Sequence, residues 1–288
     1  MRINTNIASM NAQEAATQVN KNLNASLEKL SSGLRINKAS DDASGLAIAD
    51  KLRTQASSIG QAINNGNSAV SLTQIADKAM AEQSNILDIV KQKLLQAGTA
   101  TTSQEGRTAI AKDVNKLLTQ LNNIAQQTNY NGIQLLQATE TLGTAAASTA
   151  QTFQMGEKST NTITLGAGIR ANTAGLQGMS GLKGTTGSSA ATFSATIANT
   201  ALASVDSAIN QLNGWRSDVG STQNQLESAL RNMMTQVTNV KAAESVIRDV
   251  DYASESANFN KQNIISQAGT YAMSQANAIQ QNVLRLLQ

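Results

Sequence analysis

The sequence of 288 residues contains no proline, no cysteine and no histidine, and aromatic residues make up only 2% of it. At the usual frequency of about 5%, a chain of this length would hold roughly 14 prolines. Because one proline inside a helix costs about 3 kcal/mol, this absence favours long uninterrupted helices. With so few aromatic residues the core must consist of Leu, Ile, Val, Met and Ala, which suits a helical bundle with closely spaced axes.

The missing residue types also restrict the chemistry. Without His or Cys the chain lacks the usual zinc ligands and a Cys–His nucleophile pair. Gly166–Ala171 matches a dinucleotide fingerprint, but no acidic residue stands about 20 positions on, and Gly181–Gly187 lacks the Gly-Lys-Ser/Thr of a phosphate loop. Asp41 and Asp42 are interpreted as a helix cap, since further carboxylates at ligand spacing are missing. We therefore expect no enzyme, cofactor or metal.

Charge and hydropathy exclude two further classes of partner. The 22 basic and 19 acidic residues nearly balance, and they are scattered, so no nucleic-acid footprint is visible. No apolar run approaches the length of about 18 residues that a membrane span requires. The segment Met1–Asn6 lacks the apolar core of a secretory signal, which by itself favours a cytoplasmic protein.

Both ends of the chain carry a narrow apolar stripe with alternating spacings of three and four residues, the pattern of a helix that packs on another helix. Each stripe is too thin to offset the entropy of ordering its helix alone. We therefore expect the two stripes to pair and to become ordered only with partners; two unrelated surface helices are the alternative. The predicted assembly interface comprises Ile3, Ile7, Met10, Val19, Leu23, Leu27, Leu30, Ile265, Ala268, Ala272, Ala276, Ile279, Val283 and Leu286.

Between the ends, helical periodicity runs from Ala43 to Ala97 and resumes in a shorter helix after Ser103. The pair Asn131-Gly132 predicts a β-hairpin. A second long helix begins near Ile197, and its heptad seam is the strongest periodic signal in the chain. The predicted bundle seam comprises Val205, Ile209, Leu212, Val219, Leu226, Leu230, Met233, Val237 and Val240.

These patterns predict a mainly α fold. We expect an elongated antiparallel helical bundle with terminal coiled-coil helices, a short β-hairpin and a small irregular or β insertion. The insertion spans residues 138–196, where Ala, Thr, Ser and Gly dominate. Few large apolar residues are present there, so we expect it to be exposed.

Several motifs resemble the terminal signatures of bacterial flagellins. Among these, the sequence looks most similar to flagellins of the Campylobacter and Helicobacter type. The resemblance covers roughly residues 1–137 and 197–288, in the order and spacing of the family, and leaves the insertion out. Its motifs are Leu30–Asn37, Asp41–Ala49, Asn129–Leu136, Asp251–Ala253, Gln267–Thr270 and Gln281–Leu287.

The resemblance implies a structural subunit of the bacterial flagellar filament, which self-assembles through paired terminal helices into a helical tube used for swimming. It implies an inner-core helix and joint (1–42), long helices and hairpin of an outer tube (43–137), the variable insertion (138–196), a returning long helix (197–248) and a C-terminal inner-core helix (249–288). A hook–filament junction protein of the same fold is the alternative.

The resemblance also implies partners and a location. Flagellins are secreted through the flagellar export apparatus without a cleaved signal, which replaces the cytoplasmic expectation with an extracellular filament. The implied partners are other flagellin subunits, an export chaperone at residues 251–288, the filament cap and hook-junction proteins, with no nucleic acid and no membrane span.

Two features concern the surface. Many flagellins carry an Arg and a Leu that an animal innate receptor reads, and this chain has Ile89 and Lys93 at those positions, so we expect weak receptor activation. The insertion carries hydroxyl residues that either bear O-linked sugars or form bare loop, and the sequence does not decide between these. They include Thr144, Ser148, Thr185, Ser188 and Ser189.

Overall fold

A computed structural model describes residues 6–137, 148–166, 168–188 and 192–286, with side chains as far as Ile279 in the last helix. Within these residues the chain forms six α-helices and two small antiparallel β-hairpins, so the expected mainly α fold is confirmed. The elements are α1 (Ile7–Ser32), α2 (Ala43–Gly98), α3 (Gln104–Gln127), β1 (Asn129–Tyr130), β2 (Ile133–Gln134), β3 (Gln151–Gln154), β4 (Thr162–Leu165), α4 (Met179–Ser188), α5 (Ala195–Arg248) and α6 (Tyr252–Leu286).

Local side-chain chemistry sets the first helix boundaries. The Asn6 side chain caps α1, and Gly33 ends it with φ +74°, the left-handed conformation that glycine adopts without strain. Asp42 Oδ1 accepts the amide N–H of Gly45 at 2.8 Å and thereby caps α2. The predicted cap at Asp42 is confirmed, and no cluster of three metal-ligating side chains exists among the described residues.

The predicted hairpin is also confirmed. Strands β1 and β2 pair antiparallel, with Asn129 opposite Gln134. Both turn residues have positive φ, +51° at Asn131 and +79° at Gly132. Two successive residues with positive φ are the requirement of a type I′ turn, which explains why Asn-Gly stands there.

The chain divides into two compact units. The terminal unit contains the described residues up to Ser57 and from Val237 onward, and the central unit runs from Ser58 to Gln236. The central unit holds a large aliphatic core between its helices, as the composition predicted. The seam residues of α5 that lie buried are Val205, Leu212, Val219, Leu226, Leu230 and Met233, while Ile209, Val237 and Val240 are half-buried.

The segment after β2 differs from the exposed insertion expected from the sequence. Its large apolar side chains are buried in the same core as those of α2, α3 and α5. The average composition of residues 138–196 does not reveal this burial, because small residues dominate it. Each buried side chain of the larger size nevertheless contributes about 1.5–3 kcal/mol, even when small residues surround it. The side chains in this shared core are Leu165, Ile169, Leu176, Met179, Leu182 and Phe193, and Met155 and Ile163 of the same segment are also buried.

Candidate assembly interface

Helices α1 and α6 pack against each other in antiparallel orientation within the terminal unit. Asn6 Nδ2 donates to the backbone oxygen of Ala276 at 3.2 Å. About four turns further along α1, Asn20 Oδ1 accepts a hydrogen bond from Ser266 Oγ at 3.3 Å. Because the residue number rises along α1 as it falls along α6, the two helices run in opposite directions.

The paired faces repeat at three and four residues, as in a coiled coil. On α6 the half-buried face contains Phe259 and Met273, separated by two heptads, with small or polar residues between them. Gly269 and Ser266 also lie on this half-buried face. The residues of α1 that follow this spacing and are buried or half-buried are Ser9, Ala12, Ala16, Val19, Leu23, Ser26 and Leu30.

Three of the predicted α1 residues, Val19, Leu23 and Leu30, lie on this less exposed face. Three others are exposed: Ile7, Leu27, and Met10 with 60% of its surface accessible. Ile3 lies outside the described residues.

On α6 the predicted stripe and the face that contacts α1 are different. Of the predicted residues only Ala276 is half-buried, whereas Ile265, Ala268, Ala272 and Ile279 are exposed. The side chains of Val283 and Leu286 lie outside the described part of the chain. The sequence does contain a signal for the side of α6 that faces α1. Phe259 and Met273 are large apolar residues separated by two heptads, which places them on the same side of the helix.

The exposed apolar residues from Ile264 to Ile279 nevertheless lie on one side of α6, with the exposed Gln275 among them. At 100° per residue they fall within an arc of roughly 120° on the helix circumference. The stripe is uncharged, because Lys261 and Arg285 are the only charged residues from position 261 onward. Ile264 has 67% and Tyr271 has 75% of its surface accessible. This outer α6 stripe consists of Ile264, Ile265, Ala268, Tyr271, Ala272 and Ile279.

The residues expected to alter receptor recognition lie in the central unit, one turn apart on α2. Ile89 is an exposed apolar side chain. The Lys93 ammonium lies 3.4 Å from a carboxylate oxygen of Asp113 on α3. Ile89 is thus accessible and Lys93 is half-buried, and weak receptor activation stays a prediction.

The possible glycan sites are less available than the sequence indicated. Ser148 is buried, and the Thr185 hydroxyl donates to the backbone oxygen of Gly181 at 2.7 Å. Thr144, Ser189 and the side chain of Ser188 lie outside the described residues.

No helix in the described ranges combines the length and the hydropathy needed to cross a lipid bilayer.

Comparisons with known proteins agree with the motifs. The bacterial flagellin N-terminal helical region matches residues 3–141, and the bacterial flagellin C-terminal helical region matches residues 202–287. Flagellin of Bacillus subtilis is 38% identical, and the flagellar filament 33 kDa core protein of Treponema phagedenis is 33% identical, each over the full length of both chains.

Flagellin B of Helicobacter pylori is 29% identical over 511 positions, covering 100% of this chain and 99% of that protein. The specific likeness to the Campylobacter and Helicobacter type therefore has only loose support. A solved Vibrio parahaemolyticus structure, described as a flagellar hook-associated protein, has a TM-score of 0.58 at 12% identity and covers 72% of this chain and 99% of its own. That likeness concerns the fold alone. With both family regions matched over more than half of its length, the chain belongs to the bacterial flagellin family and is a structural subunit of the flagellar filament.

Proposed function

We propose that subunits of this flagellin polymerise through the α1–α6 pair, and that a second copy of the chain covers the outer α6 stripe. The observation that carries this proposal is the stripe itself: six uncharged residues on one side of α6, exposed in the single subunit. An exposed and largely apolar surface of this kind marks an interaction site. The other side of the same helix is already covered by α1.

The energetics favour a polymer over a dimer. Covering the four large side chains of the stripe contributes on the order of 5–10 kcal/mol. Association itself costs about 4–15 kcal/mol in lost translational and rotational freedom. One such contact therefore gives weak binding at best, whereas a subunit that makes several contacts at once is held firmly. This balance suits a filament in which each copy touches several neighbours.

The alternative of a hook–filament junction protein is not favoured. Relatives that are named flagellin or filament core protein match this chain over its full length at 33–38% identity. The hook-associated relative shares 12% identity and only the fold.

Export and its partners form the second part of the proposal. The subunit leaves the cell through the flagellar export apparatus, joins the filament beneath its cap and beyond the hook-junction proteins, and is accompanied by a chaperone that holds residues 251–288. The exposed apolar side chains of α6 support this assignment, because an uncovered stripe of this kind invites premature association inside the cell. Co-purification of a flagellar export chaperone with the full chain, and its loss when residues 251–288 are removed, tests this part.

The assembly proposal is tested by truncation. We expect that removal of either residues 1–32 or residues 252–288 abolishes polymerisation from short filament seeds, followed by light scattering and electron microscopy. The thermal unfolding of the central unit serves as the control, since its core lies within residues 58–236. Normal tubes formed by either truncated subunit would refute the proposal.

A further inference from the structure

Asparagine is followed directly by glycine at three places in the chain, and the fold puts these pairs in different surroundings. The pairs are Asn65-Gly66, Asn131-Gly132 and Asn213-Gly214. An asparagine before glycine readily loses its side-chain amide, because glycine has no Cβ atom to hinder the approach of its nitrogen to the asparagine side chain. Whether this chemistry proceeds in a folded protein depends on the freedom of the backbone at each pair.

Two of the pairs lie inside long helices of the central unit, Asn65-Gly66 in α2 and Asn213-Gly214 in α5. In a helix interior the glycine N–H is bonded to the carbonyl four residues earlier, and the ψ angle of the asparagine is fixed. The glycine nitrogen therefore cannot turn toward the asparagine side chain. Asn65 is held further, since its Oδ1 accepts from Gln61 Nε2 at 3.0 Å and its Nδ2 donates to the backbone oxygen of Gln154 at 3.4 Å.

The third pair forms the turn between β1 and β2, also in the central unit. Asn131 and Gly132 are both exposed, and a Cβ atom added to Gly132 would meet nothing within 4 Å. Among the described residues the Gly132 N–H makes no backbone hydrogen bond, since a β-turn bonds its first residue to its fourth. The nitrogen of Gly132 therefore lacks the restraint that holds the corresponding atoms in α2 and α5.

The hairpin that carries this turn is small. Each strand has two residues, with Tyr130 opposite Ile133 and Asn129 opposite Gln134. A two-stranded hairpin has little stability of its own, and such a segment opens locally at a much lower free energy than the helices of a core. Brief opening of the turn lets the backbone adopt the angles that bring the Gly132 nitrogen to the Asn131 side chain.

We propose that Asn131 is a site of spontaneous deamidation in the folded subunit. The Gly132 nitrogen gives its proton to a base from the solvent and attacks Asn131 Cγ. A bond forms between these two atoms, the bond from Cγ to Nδ2 breaks, and Nδ2 takes up a proton and leaves as ammonia. Water then opens the resulting succinimide ring. Opening at Cγ gives aspartate, and opening at the backbone carbonyl gives isoaspartate, so that either product carries a negative charge that asparagine lacks.

The two products differ in their effect on the hairpin. Aspartate before glycine is favoured in a type I′ turn, as asparagine is, so this product keeps β1 paired with β2. Isoaspartate adds a methylene group to the backbone and lengthens a loop whose two residues set the strand register. The amide N–H of Leu135 donates to the backbone oxygen of Thr128 at 3.2 Å, and this bond reports whether the two sides of the hairpin remain together.

Peptide mapping of the aged full chain tests the site. The protein is kept in warm, mildly alkaline buffer at a concentration where no filament forms, and a second sample is kept in the same buffer with guanidinium chloride. Mass spectrometry measures, at each pair, the fraction in which a hydroxyl has replaced the amide nitrogen. In the folded chain we expect Asn131 to be converted at least about tenfold faster than Asn213, because the interior of a long helix opens rarely. In denaturant the two rates should be nearly equal.

Asn213 is a matched control for access of water. Asn213 and Gly214 are also exposed, and a Cβ atom added to Gly214 would also meet nothing within 4 Å. The two pairs therefore differ in backbone conformation and not in exposure. Equal rates at Asn131 and Asn213 in the folded chain would overturn the proposal, and so would an Asn131 that stays unconverted while the chain is folded.

Hydrogen exchange of the aged sample distinguishes the two products. Peptides with aspartate or isoaspartate at this position differ in chromatographic retention, and Asn131→Asp identifies the aspartate form. We expect the Leu135 amide to exchange about tenfold faster in the isoaspartate form, the effect of losing one stabilising hydrogen bond, and at the unmodified rate in Asn131→Asp. Equal exchange in both forms would disprove the effect on the hairpin. Because assembly is not measured, neither result bears on the proposed function.

Discussion

Gln83 is a fully buried amide that joins three parts of the central unit. Its Nε2 donates to the backbone oxygens of Leu121 on α3, at 3.1 Å, and of Ala171 after β4, at 2.6 Å. A buried carbonyl that loses its donor costs about 1–3 kcal/mol. The Gln83 Oε1 atom has no partner among the described residues, so removing it offsets part of that loss.

We therefore expect Gln83→Leu to lower the free energy of unfolding by about 1–2 kcal/mol. Urea denaturation followed by circular dichroism measures the change. Gln92→Leu, at an exposed position of the same helix, is the control and should change stability by less than about 0.5 kcal/mol. Equal stability of the two variants would show that the buried amide is dispensable.

Asp41 makes the link between α1 and α2 sensitive to acid. Its Oδ2 accepts the amide N–H groups of Lys38 at 3.0 Å and Asn37 at 3.1 Å. These two bonds, first that from Lys38, lower the pKa of the Asp41 carboxyl below its ordinary value of 3.8. A group with a depressed folded-state pKa stabilises the fold above its unfolded pKa, and this contribution is lost as pH falls through the folded pKa.

The amides of Asn37 and Lys38 should accordingly lose protection from hydrogen exchange as pH falls below 3.8, after correction for the intrinsic pH dependence of exchange. Asp41→Asn should weaken this protection at neutral pH and remove its acid dependence. Asp218→Asn, on the exposed surface of α5, should leave both amides unchanged. Acid-independent protection in the unmodified chain contradicts the role of the carboxylate.

At the scale of elements, the sequence predicted the features that depend on local backbone chemistry. It did not predict the features that depend on contacts between distant segments. Asn131-Gly132 predicted its hairpin and Asp42 its cap, because both act on their own backbone. The face of α6 that meets α1 was not predicted. It depends on the contact with α1, and the residues between Phe259 and Met273 on that side, such as Ser266 and Gly269, are too small or polar to look like a hydrophobic seam.

Four residues of the stripe predicted from the sequence remain exposed beside Ile264 and Tyr271, and we propose that another copy covers them: Ile265, Ala268, Ala272 and Ile279. Ile264→Ser with Tyr271→Ser should raise the critical concentration for seeded polymerisation on the order of a hundredfold, by removing about 3 kcal/mol or more of apolar burial. The helical content of the single subunit should stay unchanged.

The matched pair for this experiment is Phe259→Ala with Met273→Ala, on the side of α6 that meets α1. That variant should lower the helical content of the terminal unit even at concentrations where no filament forms. An unchanged critical concentration in the Ile264 and Tyr271 variant would show that the outer α6 stripe is not an assembly surface.

At the scale of the whole molecule, composition predicted a helical protein with an aliphatic core, and the motifs predicted its family. The role of residues 148–188 was not predictable in the same way. Their small-residue composition resembles that of a loop, and only the positions of a few large side chains reveal that they belong to the core. Surfaces that bind other copies are harder still to predict from the sequence, because a single chain does not contain the partner that covers them.

Residues 148–188 supply part of the core of the central unit. Their seven large buried side chains, from Met155 to Leu182, contribute on the order of 10 kcal/mol, which equals much of the 5–15 kcal/mol by which a typical domain is stable. Replacing residues 148–188 with a short Gly-Ser linker should therefore abolish the cooperative thermal transition of the central unit. Removal of residues 262–288 is the control and should preserve that transition. If the linker variant unfolds with an unchanged midpoint, the segment is a dispensable insertion after all, and the core of α2, α3 and α5 closes without it.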